Sequence, residues 1–130
     1  MSLLFVDIEE VYRIHLSLIS RAKTKAGVRD FALLHSSIER PKATFNGHSL
    51  YPTLFAKAAA LLHSLCLSHP FTDGNKRTAY SSTHLFLWKN GYNLVSEKKE
   101  AIQFMLLIDN EEPSVAKITT WLKKHSVKIS

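Results

Sequence analysis

The chain has 130 residues, 45% of them hydrophobic and 22% charged, and a formal net charge of +6. This length predicts one domain over residues 1–130 that needs no disulfides, and the basic balance permits an anionic partner such as a nucleotide, RNA or an acidic protein. The lone cysteine excludes an internal disulfide, and neither the N-terminus nor any apolar run resembles a signal peptide or a span of ~20 residues, so we expect a cytoplasmic protein without a membrane.

The N-terminal third predicts two helices. Asp7 and Glu10 form a capping pair that opens a helix running to about residue 23. A shorter helix is expected over residues 30–39, and Pro41 helps to end it. Both segments carry apolar residues at helical spacing, which is typical of helices that pack on a core.

The next segment changes from helical to strand-like patterning. Residues 44–51 centre on Asn46-Gly47, a dipeptide that favours a two-residue type I′ turn because both central residues need positive φ. The sequence therefore predicts a small β-hairpin at this place.

Two helices are predicted to follow the hairpin. Pro52 is expected in the first turn of a strongly apolar helix that ends near Ser68 and forms the buried centre of the fold. Cys66 lies on or beside its apolar face and is expected to be a small core residue. Another helix should begin at residue 74 or 75 and stop at Asn90-Gly91.

The C-terminal part predicts two further helices. Ser96 can cap a helix that reaches about Ile108, and Pro113 can open the last one. Trp88 and Trp121 are both expected in the core. The expected core residues of the first of these helices are Ala101, Ile102, Met105, Leu106 and Ile108. Together the elements predict an all-α bundle of helices with one small hairpin.

The segment His69–Arg77 carries the chemistry that the sequence suggests. A helix N-terminus has unpaired N–H groups and positive potential, which makes it a natural phosphate site. Gly74 allows a close approach of the backbone, and Asn75 can cap the helix and offer an amide to phosphate. Lys76 and Arg77 place two cations where the helix dipole disfavours them, which indicates that an anion binds there.

An acid and a base precede this cradle. Asp73 beside a phosphate site makes sense when Mg²⁺ bridges the carboxylate to the phosphates. His69 is suited to act as a general base near neutral pH. Phe71 is expected to anchor the loop by packing. Taken singly, each of these residues is more often structural or merely solvated, so the hypothesis depends on their combination.

The same segment resembles the signature of the Fic/Doc superfamily, His-x-Phe-x-[Asp/Glu]-Gly-Asn-Gly-Arg. Lys76 replaces the last glycine of that pattern, and this form is similar to the Doc branch. Further similarity lies in Gly27–Asp30, Arg40-Pro41, Leu50–Phe55 and Asn90–Tyr92. The resemblance implies a helical Fic/Doc-like bundle in which the hairpin is a flap that docks the target protein, through Phe45, Asn46, Gly47 and His48.

The resemblance also implies roles for the motif. His69 would take a proton from a target hydroxyl, and Asp73 would hold Mg²⁺. Gly74, Asn75, Lys76 and Arg77 would bind the phosphates of ATP, with His69, Asp73 and Arg77 as the catalytic set. Fic enzymes transfer AMP, whereas the Doc branch transfers the γ-phosphoryl group. A lysine at position 76 fills space that glycine leaves to the α- and β-phosphates, which favours phosphoryl transfer.

By the same resemblance, the chain would be a toxin that modifies a threonine of elongation factor Tu, blocks translation and is restrained by a Phd-like antitoxin. The self-inhibitory motif of many Fic proteins has no clean copy, since Ser96–Ala101 ends in alanine. The alternatives are a Fic-type AMP transferase on the same fold and a basic RNA-binding or ribonuclease toxin. The second is disfavoured because no RNA-binding signature is present, so nucleic acid is not the expected partner.

Overall fold

The computed structural model describes residues 2–22 and 26–129. Within them the chain forms six α-helices, one 3₁₀ turn and two pairs of short antiparallel strands. In chain order these are α1 (Ile8–Ala22), α2 (Phe31–Glu39), the 3₁₀ turn (Arg40–Lys42), β1 (Thr44–Phe45), β2 (His48–Ser49), α3 (Leu54–Leu67), α4 (Asn75–Lys89), β3 (Tyr92–Leu94), α5 (Lys98–Glu111), α6 (Val115–Lys124) and β4 (Ser126–Lys128). The all-α prediction with a small hairpin is confirmed, and the predicted end of α1 at residue 23 lies outside the described residues.

Helix α3 is the buried centre of the bundle, as its apolar sequence predicts. It packs against α2, α4, α5, α6 and the 3₁₀ turn. The hydroxyl of Thr53 caps it by accepting a hydrogen bond from the Ala56 N–H at 3.1 Å. Pro52 therefore precedes the cap, and the prediction that it lies in the first turn is wrong. Cys66 is fully buried, and burial raises the pKa of its thiol to about 11, so it is a core residue.

The predicted hairpin is confirmed. Strands β1 and β2 pair Thr44 with Ser49 and Phe45 with His48 around a two-residue loop. Asn46 and Gly47 have φ values of 51° and 78°, the positive values that a type I′ turn requires. Below the turn, Arg40 donates to the Tyr51 hydroxyl at 2.8 Å, and the Lys57 ammonium donates to Ser49 and to the Tyr51 carbonyl. These bonds attach the base of the hairpin to the 3₁₀ turn and α3.

Helix α5 is less buried than predicted. Met105 and Ile108 lie in the core, but Ile102 and Leu106 are exposed and Ala101 is half-buried. The helix covers the bundle with one face only, so apolar residues on its other face meet solvent. The predicted cap is also wrong: the N-cap is Glu97, and the Ser96 hydroxyl instead pairs with the Tyr80 hydroxyl at 3.0 Å.

The C-terminal segment adds a strand pair that the sequence did not reveal. Strands β3 and β4 pair antiparallel, which joins the end of the chain to the segment after α4. Helix α6 is capped by Ser114, so Pro113 stands before the helix. Trp121 stacks on Phe104 with ring centroids 3.9 Å apart, as expected of a packed residue. The expectation for Trp88 is wrong, since it is 52% exposed on the outer face of α4.

Candidate functional site

The site begins where α3 ends and the chain turns sharply at His69. This residue has a φ of 51°, in the left-handed region that side chains other than glycine rarely adopt. The guanidinium of Arg29 holds the turn: its Nε donates to the His69 carbonyl at 2.8 Å and its Nη2 to the Ser68 carbonyl at 3.1 Å. The imidazole remains 49% exposed and therefore accessible to a substrate.

The segment before α2 clamps the loop from the other side. Backbone N–H groups of Arg29 and Asp30 donate to the Pro70 carbonyl at 2.8 and 3.1 Å, and Thr72 N–H donates to the Gly27 carbonyl at 3.0 Å. An isolated bridge pairs residue 28 with residue 71. The stretch Gly27–Asp30, singled out in the sequence, thus acts as a short edge that fixes the His69–Arg77 loop.

Two rings stack beneath the loop, those of Phe71 and His15, and the second was not predicted from the sequence. Phe71 is buried, as predicted, and its ring stacks on His15 of α1 with centroids 3.9 Å apart. His15 is fully buried; its Nε2 accepts from the Gly27 N–H at 3.4 Å, and Nδ1 lies 3.3 Å from the Thr78 hydroxyl. Burial lowers the pKa of His15, and the charge of Asp73 offsets part of that effect. His15 therefore joins the Phe71 ring, the Gly27 backbone and the Thr78 hydroxyl.

Asn75 has a different structural role from the predicted cap. The N-cap of α4 is Gly74, with a φ of 76°, and Asn75 is the first helical residue. The Asn75 amide turns back to the loop: its Oδ1 accepts from the Phe71 N–H at 2.9 Å and its Nδ2 donates to the Phe71 carbonyl at 3.1 Å. The capping prediction is wrong, because this bidentate bond uses the side chain elsewhere. The phosphate-binding role of Asn75 stays a prediction.

Charged groups surround the N-terminus of α4. Lys76 is half-buried and Arg77 is exposed, and both line a cavity of about 260 Å³ against Leu18 and α5. Asp73 is exposed, and its Oδ1 accepts from the Gly74 N–H at 2.7 Å. The structure thus brings the residues of the motif together around one helix end, as the sequence predicted.

A further carboxylate, not predicted from the sequence, reaches the same place. Asp109 lies in the last turn of α5, and its Oδ2 is 3.3 Å from the Lys76 ammonium. Its Oδ1 is 3.9 Å from Nε2 of His69. Its position 32 to 40 residues after the motif leaves no local signal, so only the packing of α5 on α3 reveals it.

The carboxylates fit a magnesium site only if the substrate supplies most of the ligands. Among the described residues, no group of three or more His, Cys, Asp or Glu side chains could hold a metal ion. Asp73 offers one carboxylate oxygen beyond the one bound to Gly74 N–H. Mg²⁺ often binds through one or two carboxylates with waters and substrate phosphates, and Asp73 suits that mode.

A cleft lies between α2, the 3₁₀ turn and α3, and its ends are the residue before β1 and the residue before His69. It measures about 720 Å³ and runs between α2 and α3 from Ala43 to Ser68, the neighbour of His69. Arg40 lines the cleft, and its Nη1 lies 2.8 Å from Nδ1 of His63. Burial, and then the Arg40 charge, lower the pKa of His63. The four predicted flap residues at the hairpin, residues 45–48, are all exposed above this end of the molecule.

Comparisons with known proteins agree with the motif. A model of the Fic/DOC family matches residues 5–87, from the start of the chain through most of α4. Toxin Doc of Mycolicibacterium smegmatis (strain ATCC 700084 / mc(2)155) is 49% identical over 70 residues, which cover 54% of this chain and 54% of that protein. The chain thus spans about half the length of the curated relative it matches. No helix in the described part of the chain is long and apolar enough to cross a bilayer. Since the family match covers more than half of the sequence and contains the whole His69–Arg77 loop, this chain belongs to the Fic/Doc family.

Proposed function

We propose that the chain is a Doc-type toxin that transfers the γ-phosphoryl group of ATP to a hydroxyl of a target protein. The observation that carries the proposal is the convergence of Lys76 and His69 on one carboxylate, at 3.3 and 3.9 Å. A phosphoryl group bound by the Lys76 ammonium would therefore lie beside the imidazole that accepts the proton of the target hydroxyl.

The first turn of α4 supplies the rest of the phosphate site. The helix is fifteen residues long, and its dipole and free N–H groups favour phosphate at Gly74–Lys76. Arg77 is exposed at the same turn and can bind phosphate oxygens in a bidentate manner. Asp73 would hold Mg²⁺, which when bound neutralises the charge of the phosphates.

The proposed reaction needs one proton transfer by the protein. Nε2 of His69 takes the proton of the target hydroxyl while that oxygen forms a bond to the γ-phosphorus of ATP. The bond between the γ-phosphorus and the β–γ bridging oxygen breaks, and ADP leaves with that electron pair. The clamp from Arg29 and Asn75 to the loop keeps the imidazole and the phosphate cradle in one geometry, which is the main protein contribution to phosphoryl transfer.

Target binding would use the hairpin and the adjoining cleft. The exposed hairpin can align an extended segment of a target beside its edge, with Phe45, 68% exposed, as an apolar contact. The adjoining cleft ends at Ser68, the residue before His69, so a target segment bound there would lie close to the loop in the chain. A threonine of elongation factor Tu is the proposed acceptor and a Phd-like antitoxin the proposed restraint, as the resemblance of the motif to the Doc branch implies; the related protein named Toxin Doc supports the toxin class.

AMP transfer on the same site is the second candidate, because the family includes both reactions. The two candidates differ in which phosphate lies beside His69. Lys76 favours the orientation with the γ-phosphate beside His69, since its half-buried side chain occupies the space that a glycine would leave open. Changing Lys76 to Gly should lower γ-phosphoryl transfer, and unchanged transfer would contradict this explanation of nucleotide orientation.

The experiment compares two labels in one acceptor mixture. The protein is incubated with desalted bacterial lysate, Mg²⁺ and ATP labelled at either the γ- or the α-phosphate. We expect γ-label on one protein band, with mass spectrometry assigning one phosphate to a threonine. Incorporation of α-label instead establishes AMP transfer, and cleavage of RNA without ATP supports the ribonuclease alternative.

The matched variants separate chemistry from folding. His69→Asn removes the base while suiting the left-handed backbone at this position, because Asn tolerates positive φ better than most residues. We expect transfer to fall by about 10²-fold or more, the usual worth of a general base. His84→Asn, on the opposite part of α4 beside Trp88, should retain full activity. Full activity of His69→Asn would show that the assigned base is wrong.

A further inference from the structure

Asp109 is a carboxylate placed where both the helix dipole and the proposed substrate disfavour it. It lies in the last turn of α5, whose partial negative charge repels an acidic side chain. It also forms an ion pair with the Lys76 ammonium, the group that is proposed to bind a phosphate. A residue that is unfavourable for its own helix and for substrate binding needs a compensating role.

The surroundings restrict what that role can be. The Asp109 side chain is 28% exposed, so neighbouring residues cover most of it. It contacts the Lys76 ammonium with one oxygen and lies near the His69 ring with the other. The charge around both groups changes during the proposed reaction, because Lys76 binds a phosphate and the His69 imidazole gains a proton.

We propose that Asp109 is a positioning residue that alternates between these two partners, an inference that rests on the proposed function. Without nucleotide it neutralises Lys76 and holds the lysine chain over the cradle. When a phosphate binds Lys76, the carboxylate is released toward His69, which lies 3.9 Å away. As the imidazole accepts the proton of the target hydroxyl, it becomes a cation, and the adjacent carboxylate stabilises that charge.

This exchange has opposite consequences for binding and for turnover. Asp109 competes with phosphate for Lys76, so it weakens ATP binding. It also stabilises the imidazolium that forms only as the reaction proceeds, so it raises the rate. Removing a residue that merely supports the fold would weaken both ATP binding and the rate. Removing a residue that binds the nucleotide directly would weaken ATP binding.

The test is the variant Asp109→Asn, which keeps the shape and removes the charge. ATP·Mg²⁺ binding is measured by calorimetry, and γ-label transfer to desalted bacterial lysate is measured over a range of ATP concentrations. We expect ATP binding to tighten about three- to five-fold, as for removal of a partly exposed ion pair. We expect the rate at saturating ATP to fall about ten-fold, a fraction of what the base itself contributes.

Two controls keep the outcome clear. Glu111→Gln removes the same charge from the same end of α5 at an exposed position, and it should leave both quantities unchanged. The melting temperature of Asp109→Asn should change little, because loss of the partly exposed ion pair with Lys76 and relief of the repulsion with the helix dipole oppose each other and are of similar size. Loss of binding together with loss of rate, or no change in either, overturns the proposal.

Failure of the proposed function is recognised separately. If wild-type protein binds ATP but transfers no γ-label, the assigned reaction is wrong. The calorimetric measurement still tests the competition for Lys76, since Asp109→Asn must bind ATP more tightly than wild type whatever the reaction is. Equal or weaker binding rejects the competition between Asp109 and phosphate for Lys76.

Discussion

The bidentate bond from Asn75 to Phe71 should be the main local support of the His69–Arg77 loop. Changing Asn75 to Ala removes two hydrogen bonds, at 2.9 and 3.1 Å, to the backbone of a residue that is 1% exposed. At about 1 kcal/mol each, their loss costs about 2 kcal/mol. The higher helix propensity of alanine returns roughly 0.5 kcal/mol, leaving a net loss of about 1.5 kcal/mol in the free energy of unfolding.

This loss is large enough to measure by thermal unfolding. An unfolding entropy of about 2.1 cal/mol/K per residue over the 130 residues converts about 1.5 kcal/mol into a decrease of about 5 °C in Tm. Asn110→Ala, an exposed position near the end of α5, is the matched control and should change Tm by about 1 °C or less. If the two variants melt together, Asn75 does not hold the loop.

Gly74→Ala should lower the free energy of unfolding by about 1–2 kcal/mol because of the left-handed backbone. The loss should exceed that of Gly47→Ala, because a Cβ at Gly74 would meet Ile19 Cδ1 at 2.9 Å, whereas Gly47 has a similar φ and open space around it. Equal losses in urea unfolding would contradict the close approach of Ile19. Burial lowers the pKa of His15 below its ordinary value near 6.5, so the unfolded chain binds the proton more tightly and stability should fall as pH drops from 7.5 to 5.5. His15→Gln should lose less stability over this pH range than wild type in the same urea experiments, and an identical loss would exclude His15 as a source of the pH dependence.

Local patterns predicted most of the helices and the hairpin. The turn at Asn46-Gly47 needs only the conformational preference of two neighbouring residues, and α3 needs only its apolar composition. The helix starts were less predictable, because several neighbouring residues can cap. Thr53 caps α3 where Pro52 was expected in the first turn, and Ser96 bonds to Tyr80 instead of capping α5.

The motif His69–Arg77 was recognisable because its residues are adjacent in the sequence, and the family match includes it. The contacts that support it were not recognisable, although the stretch Gly27–Asp30 that contains Arg29 was singled out. Arg29, His15 and Asp109 come from three other segments, and each contacts the loop through its side chain over a separation of 33 to 56 residues along the chain.

The sequence by itself determined the family motif His69–Arg77, the helical class and the hairpin, since each depends on residues within a few positions of one another. The tertiary structure alone decided that α5 brings Asp109 to Lys76, that Ile102 faces solvent, and that β4 pairs with β3. These outcomes depend on which helix faces meet when the core closes around α3. Hydrophobic burial is non-directional, so composition states that a face is buried but not which distant residues it brings together.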